Sequence, residues 1–222
     1  AAAAAAKMKP AVIEAGGSDP MIISAHAPID IAAAGAVTGA FHMSGQVCTS
    51  TERLYVVDSV HDAFVAAFKA ETARLRSGNG LERSEIGPLV SKAARDKVER
   101  VGADAVAKGA DVVCGGRIPP GLDTGWVYEP TILTNCTAEM DLLHHECFGP
   151  VVAIVKVPDF DAAIDGANAS AFGLGASVFT TSLEEAHEAH DRLEAGMVWI
   201  TNPMIDNDAL PFGGWKNSGM GR

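Results

Sequence analysis

Two side chains in this sequence have the type and setting that nucleophilic chemistry needs. Cys48 lies in Ser44-Gly45-Gln46-Val47-Cys48-Thr49, a turn-like stretch between a small-residue segment and an apolar run. A turn that carries glycine can present a thiol and its own backbone N–H to one substrate oxygen. The thiolate is the reactive form, so such a cysteine needs activation by its surroundings or by a base. Glu14 stands just ahead of Gly16-Gly17, and glycines let a chain pass close to a ligand. A carboxylate beside such a turn can reach into a cleft as a general base. Taken singly, each residue also has a plain alternative. A lone cysteine is commonly a small buried apolar side chain, and a glutamate is commonly solvated.

Other chemistries find less support. His144-His145-Glu146-Cys147 gathers metal-binding residue types, but neighbours on an extended chain point to opposite faces and cannot all converge on one ion. The spacings of zinc sites are missing, so no metal is expected. Gly173-Leu174-Gly175 and the glycines at 213, 214, 219 and 221 do not form a phosphate-binding loop between a strand and a helix.

These residues need a scaffold, and the patterning predicts one. Val12 and Ile13 suggest a short strand running into the Glu14–Gly17 turn. Residues 28–43 read as a helix dominated by Ala and Gly, hence buried and closely packed. Strands are predicted at 53–57, 111–114, 128–133, 151–157, 176–179 and 197–200 from β-branched or continuous apolar content. Helices are predicted at 60–75, 91–108, 159–170 and 182–193, with Ser91 and Ser182 as N-caps and Glu185 completing a capping box. Strands alternate with helices, so the fold class is α/β with a largely parallel sheet flanked by helices.

Composition narrows the partners. There are 17 basic and 28 acidic residues in 222, a formal net charge of −11. This argues against a nucleic-acid surface. No apolar run approaches the ~18 residues of a membrane span, and mean hydropathy is +0.14. The cysteines Cys48, Cys114, Cys136 and Cys147 are too sparse for a disulfide framework and contain no C-x-x-C pair. A reducing, cytoplasmic setting is expected. Residues 1–6 are all Ala and read as a tag remnant, a linker or placeholders. The stop at Arg222 follows a glycine-rich stretch, and a longer polypeptide is expected, with residues 7–222 as one catalytic domain.

Four segments in register resemble the aldehyde dehydrogenase superfamily. Glu14-Ala15-Gly16-Gly17 resembles its E-L-G-G motif, and Gly45-Gln46-Val47-Cys48 its G-Q-x-C nucleophile motif. Glu146-Cys147-Phe148-Gly149-Pro150 resembles E-x-F-G-P. Pro211-Phe212-Gly213-Gly214-Trp215-Lys216-Asn217-Ser218-Gly219 resembles P-F-G-G-x-K-x-S-G. The order and distances agree over about residues 7–222. Two positions depart from the pattern: Ala15 replaces Leu, and Ser18 stands where Lys is usual.

The resemblance implies an enzyme that oxidises an aldehyde to a carboxylate with NAD or NADP. Cys48 would form a thiohemiacetal whose oxyanion is held by its own N–H and an upstream Asn. Loss of hydride would leave a thioester, and Glu14 would activate water to hydrolyse it. Gly16, Glu146 and Phe148 would contact the cofactor, Glu146 at the nicotinamide ribose and Phe148 beside the ring. Two alternatives are a coenzyme A-acylating relative, against which Glu14 weighs, and a domain retained for binding only. The intact protein would be a homodimer or homotetramer. The resemblance leaves most of the cofactor fold outside these residues, so this chain alone should bind dinucleotide weakly and turn over negligibly. Asp206 and Asp208, just before Phe212, would line the substrate pocket and favour a polar, cationic aldehyde.

Overall fold

The computed structural model describes residues 1–122, 124–204 and 207–222. Its centre is a seven-stranded sheet. The strands are β2 (Asp19–Ile23), β3 (Thr51–Val57), β4 (Asp111–Cys114), β5 (Thr131–Thr134), β6 (Val151–Val157), β7 (Gly175–Phe179) and β8 (Met197–Ile200). They lie in the order β4-β5-β6-β3-β2-β7-β8, and only β4 runs antiparallel to its neighbour. A separate two-stranded ribbon pairs β1 (Ile13–Glu14) with β9 (Gly219–Met220). A single helical turn, α1 (Ala2–Ala5), precedes it. Among the described residues no helix is long and apolar enough to cross a membrane.

Alternate residues of each central strand feed opposite faces, as the two-residue strand period requires. Met21, Ile23, Leu54 and Val56 face α2 (Ile29–Phe41) and α3 (Asp58–Thr72). Ile22, Tyr55, Val57 and Val178 face α5 (Phe160–Asn168) and α6 (Leu183–Arg192). On that second side α4 (Lys92–Ala107) covers Leu133, Val151 and Ala153. The small residues of α2 have a direct reason: a Cβ on Gly35 would stand 2.3 Å from the Phe179 ring, and one on Gly39 would stand 2.6 Å from Thr51 Oγ1. Ser91 and Ser182 accept from Ala94 N and Glu185 N, the N-caps that the sequence predicts.

The expected α/β class with a largely parallel sheet is what the chain adopts. One central strand departs from expectation. Asp19–Ile23 is not among the predicted strands, because Gly-Gly-Ser-Asp-Pro is turn chemistry and proline is rare inside sheets. The structure accommodates Pro20 at a register shift between Asp19 and Pro20, after which Met21 to Ile23 pair with both β3 and β7.

Candidate active site

Three of the four motif segments lie immediately ahead of strands β2, β3 and β6, which are neighbours in the sheet. The Glu14–Gly17 turn leads into β2, the Cys48 turn into β3, and Glu146–Pro150 into β6. Parallel pairing therefore brings all three to one end of the sheet. It is the amino end, the reverse of the usual arrangement in open α/β sheets. The fourth motif closes the group, because Ser218 O accepts Ala15 N at 2.9 Å and Glu14 pairs with Gly219.

The segments touch backbone to backbone. Gly45 has φ +71°, and a Cβ there would stand 2.2 Å from Gly149 O. A Cβ on Gly17 would stand 2.8 Å from Cys48 O. The end of α2 is wound sharply to reach this turn, with Met43 and Ser44 at φ +50° and +60°. Such values are uncommon away from glycine and persist only where the surroundings over-determine them. Here Ser44 Oγ donates to Gly87 O at 3.0 Å. Gln46 Nε2 donates to Met43 O and Pro88 O, while its Oε1 accepts Val90 N at 2.9 Å. Gln46 thus clamps the cysteine turn to the 88–90 segment.

Cys48 is half-buried. Burial pushes its thiol up, and the Glu14 and Asp19 carboxylates push it further. The backbone N–H groups of Cys48 and Thr49 act on the same sulfur and pull the other way. Neither N–H has a backbone acceptor among the described residues. Glu14 is exposed, and its Oε1 accepts Gly16 N at 2.6 Å. Glu146 Oε1 accepts Gly17 N at 3.2 Å, while Phe148 is half-buried at φ +55°.

The structure places Cys48, Glu14, Gly16, Glu146 and Phe148 in one locality. Asp208 and Phe212 are both exposed and line a cavity of about 570 Å³ against Met197, Val198 and Trp199 of β8, and Cys48 is not among its lining residues. Asp206 lies outside the described residues. A second cavity, about 590 Å³, runs between α2 and the segment after β8, with Thr38, His42, Asn202 and Met204 on its walls.

A model of the aldehyde dehydrogenase family matches residues 1–222. The chain belongs to the aldehyde dehydrogenase family. It is 42% identical over 224 residues to a betaine aldehyde dehydrogenase of Mesorhizobium japonicum, covering 99% of this chain and 46% of that protein. It is also 42% identical over 217 residues to an NADP(+) succinate-semialdehyde dehydrogenase of Deinococcus radiodurans, covering 97% and 45%. A crystal structure of Staphylococcus aureus betaine aldehyde dehydrogenase with NAD+ superposes with TM-score 0.93 at 35% identity, over 99% of this chain and 44% of that one. The chain spans about half the length of the curated relatives it matches.

Several residues around this family's motifs gave no signal in the sequence. Arg53 is 1% exposed, and its Nε and Nη2 donate to Ser18 O at 2.9 and 2.8 Å. Its Nη1 reaches Tyr55 Oη at 3.0 Å. Arg53 therefore pins the strand after the cysteine to the strand after Glu14. Asp19 is 3% exposed and accepts Gly175 N at 3.1 Å. Burial drives its carboxyl well above the usual range, against the pull of Arg53. Among the described residues no group of three or more His, Cys, Asp or Glu is arranged to hold a metal ion.

Proposed function

We propose that the protein carrying this chain oxidises an aldehyde to a carboxylate, with Cys48 as nucleophile and Glu14 as general base. The observation that carries this reading is the convergence of the Glu14–Gly17 turn on Cys48, where a Cβ on Gly17 would stand 2.8 Å from Cys48 O. Cys48 gives up its proton to bulk water, and its thiolate sulfur bonds to the carbonyl carbon as the carbonyl π pair moves onto oxygen. The oxygen takes the negative charge beside the N–H groups of Cys48 and Thr49, and donors preorganised where charge develops lower the barrier. Loss of hydride converts the adduct to a thioester on Cys48. Glu14 then takes a proton from water, whose oxygen attacks the thioester carbon, and the carboxylate leaves as the thiol is restored.

A nicotinamide dinucleotide, NAD or NADP, would supply the hydride acceptor. The residues here suit its nicotinamide end. Glu146 is half-buried with Oε1 held by Gly17 N, which leaves Oε2 to accept from ribose hydroxyls, and Phe148 offers a flat apolar face. Residues 7–222 are read as the catalytic domain of a longer, homodimeric or homotetrameric enzyme. The four cysteines are all free thiols, which fits a cytoplasmic setting. For the substrate, the reading is a cationic aldehyde drawn by Asp208. One named relative is a betaine aldehyde dehydrogenase and another acts on succinate semialdehyde, so charge preference is the property to measure.

The test is rapid-mix kinetics on the intact protein. Cys48→Ala should abolish reduced-cofactor formation. Glu14→Gln should keep a single-turnover burst near one equivalent and lose steady turnover. Normal turnover in Cys48→Ala would refute the assignment.

A further inference from the structure

Glu52 follows Cys48 by four residues on β3 and is 2% exposed. Its carboxylate has no cationic partner among the described residues. It faces backbone instead: Oε1 and Oε2 each lie 2.8 Å from Cys147 N, and Oε1 lies 2.8 Å from Phe148 N. Two successive N–H groups converging on one anion form a nest, a known backbone concavity for negative charge. Here the anion is supplied by the protein itself.

The nest explains an otherwise unfavourable loop. Phe148 has φ +55°, which is rare for a bulky side chain and persists only where the surroundings hold it. The hydrogen bonds from these two amides to Glu52 fix the peptide planes on either side of Cys147, and hence the directions in which Glu146 and Phe148 leave the chain. Glu146 is held from its other end by Gly17 N.

We propose that Glu52 is a positioning residue for cofactor binding: its carboxylate, seated in the Cys147–Phe148 nest, sets Glu146 and Phe148 in the orientation that receives the dinucleotide. This rests on reading Glu146 and Phe148 as cofactor contacts.

The electrostatics give the device a pH dependence. Burial drives the Glu52 carboxyl up, the two nest amides oppose this, and Glu146 raises it again, leaving it at about 7. The other titratable groups in its field are the Asp19 carboxyl, itself raised, and the Cys147 thiol, which burial and Glu52 keep protonated. As a carboxylate Glu52 accepts both amides. Once protonated, one oxygen becomes a donor facing an N–H, and the nest loses an acceptor. Dinucleotide affinity should therefore fall as pH drops through about 7.

The experiment is calorimetric titration of the intact enzyme with NAD+ and with NADP+ from pH 6 to 8.5. For wild type, Kd should tighten about tenfold across this range, as expected when a bound conformation becomes fully populated. Glu52→Gln carries one acceptor oxygen and an NH2 that clashes with the nest. It should bind at the weak, acid-limb level at every pH, with KM for dinucleotide raised more than kcat is lowered. Should Glu52→Gln fail to fold, Glu146→Gln supplies the test, because removing that like charge should move the midpoint of the binding profile to lower pH. A flat wild-type profile, or a Glu52→Gln profile that matches wild type, overturns the proposal. If Glu146→Gln leaves affinity at pH 8.5 unchanged, the cofactor reading itself fails. If Glu146→Gln weakens binding and Glu52→Gln does not, only the positioning role fails.

Discussion

Glu146 Oε1 stands 2.6 Å from the point a Cβ on Gly16 would occupy, and the same oxygen accepts Gly17 N at 3.2 Å. The side chain of one motif thus fills the space that the missing side chain of another leaves open. Gly16 also has φ +78°, so alanine there meets both backbone strain and the carboxylate. Left-handed backbone costs an L residue roughly 1–2 kcal/mol. Gly16→Ala should raise KM for the dinucleotide by about tenfold, the change that ~1.4 kcal/mol produces. Alkylation of Cys48 should stay within about twofold, since the φ cost falls on the cofactor side. Steady-state kinetics with iodoacetamide labelling as the control measure both. An unchanged KM would show that Glu146 can move aside without consequence.

Thiol reactivity follows from burial. Cys136 is pushed up to about 12 by desolvation, Cys147 is raised further, and Cys114 is raised by the same cause. Cys48 is raised too, but part of that comes from Glu14 and Asp19, and two N–H groups oppose it. Labelling near pH 7.5 followed by peptide mapping should therefore find Cys48 modified first. Glu14→Gln removes a negative charge that disfavours the thiolate, so it should speed Cys48 alkylation. A slower rate in that variant would mean that Glu14 removes the thiol proton in the resting enzyme, and this electrostatic account would be wrong.

The motifs were legible because each pairs a reactive side chain with a glycine turn, and the layered fold because α2, β6 and the N-caps follow local rules. What escaped was set by tertiary contact. The β2 strand begins with Asp-Pro and forms only because β3 and β7 lie on both sides of it. The short strand at Val12–Ile13 is predicted, but its partner Met220 in β9 carries no local signature, so the ribbon pairing is not. Glu52 and Arg53 look like surface charges in Thr51-Glu52-Arg53-Leu54, yet both are buried because backbone amides and carbonyls from distant turns satisfy them. A sequence pattern records which side chains are charged, not which backbone groups will come to meet them.

Asp19 offers a stability test with a defined sign. Burial raises its carboxyl well above the 3.8 of a free aspartate. Between that value and its raised folded value, the folded state binds more protons than the unfolded state. Its contribution to stability therefore declines as pH rises through that window. Asp19→Asn removes this decline, and its Oδ1 can still accept Gly175 N. The variant should melt higher than wild type at pH 8 by about 2–4 °C, the shift each kcal/mol gives in a domain of this size. The gap should close near pH 4. Arg53→Ala should instead lower stability at every pH by about 1–3 kcal/mol, as expected when buried acceptors such as Ser18 O lose their donor. A scanning-calorimetry series from pH 4 to 8 distinguishes these outcomes. An Asp19→Asn variant less stable than wild type at pH 8 would mean that the carboxylate is needed as an ion.

Substrate charge can be tested through Asp208. It is exposed on the wall of the cavity that also holds Phe212 and Trp199, while its companion Asp206 lies outside the described residues. Two unit charges ~4 Å apart attract by roughly 1 kcal/mol in water, and exposed pairs are commonly worth ~1 kcal/mol or less. Each ~1.36 kcal/mol is tenfold in rate, so a trimethylammonio-aldehyde should exceed its neutral isostere in kcat/KM by about two- to tenfold at low salt. The advantage should shrink at 0.5 M NaCl, where the Debye length is only a few ångströms. Asp208→Asn should remove most of it, and an anionic semialdehyde should gain by the same substitution. The measurement is kcat/KM for matched cationic, neutral and anionic aldehydes in the intact wild-type and Asp208→Asn enzymes at two salt concentrations. A cationic preference that survives both Asp208→Asn and high salt would place charge recognition elsewhere. The cavity beside His42 and Asn202 would then be the next site to mutate, because it borders the turn that leads to Cys48.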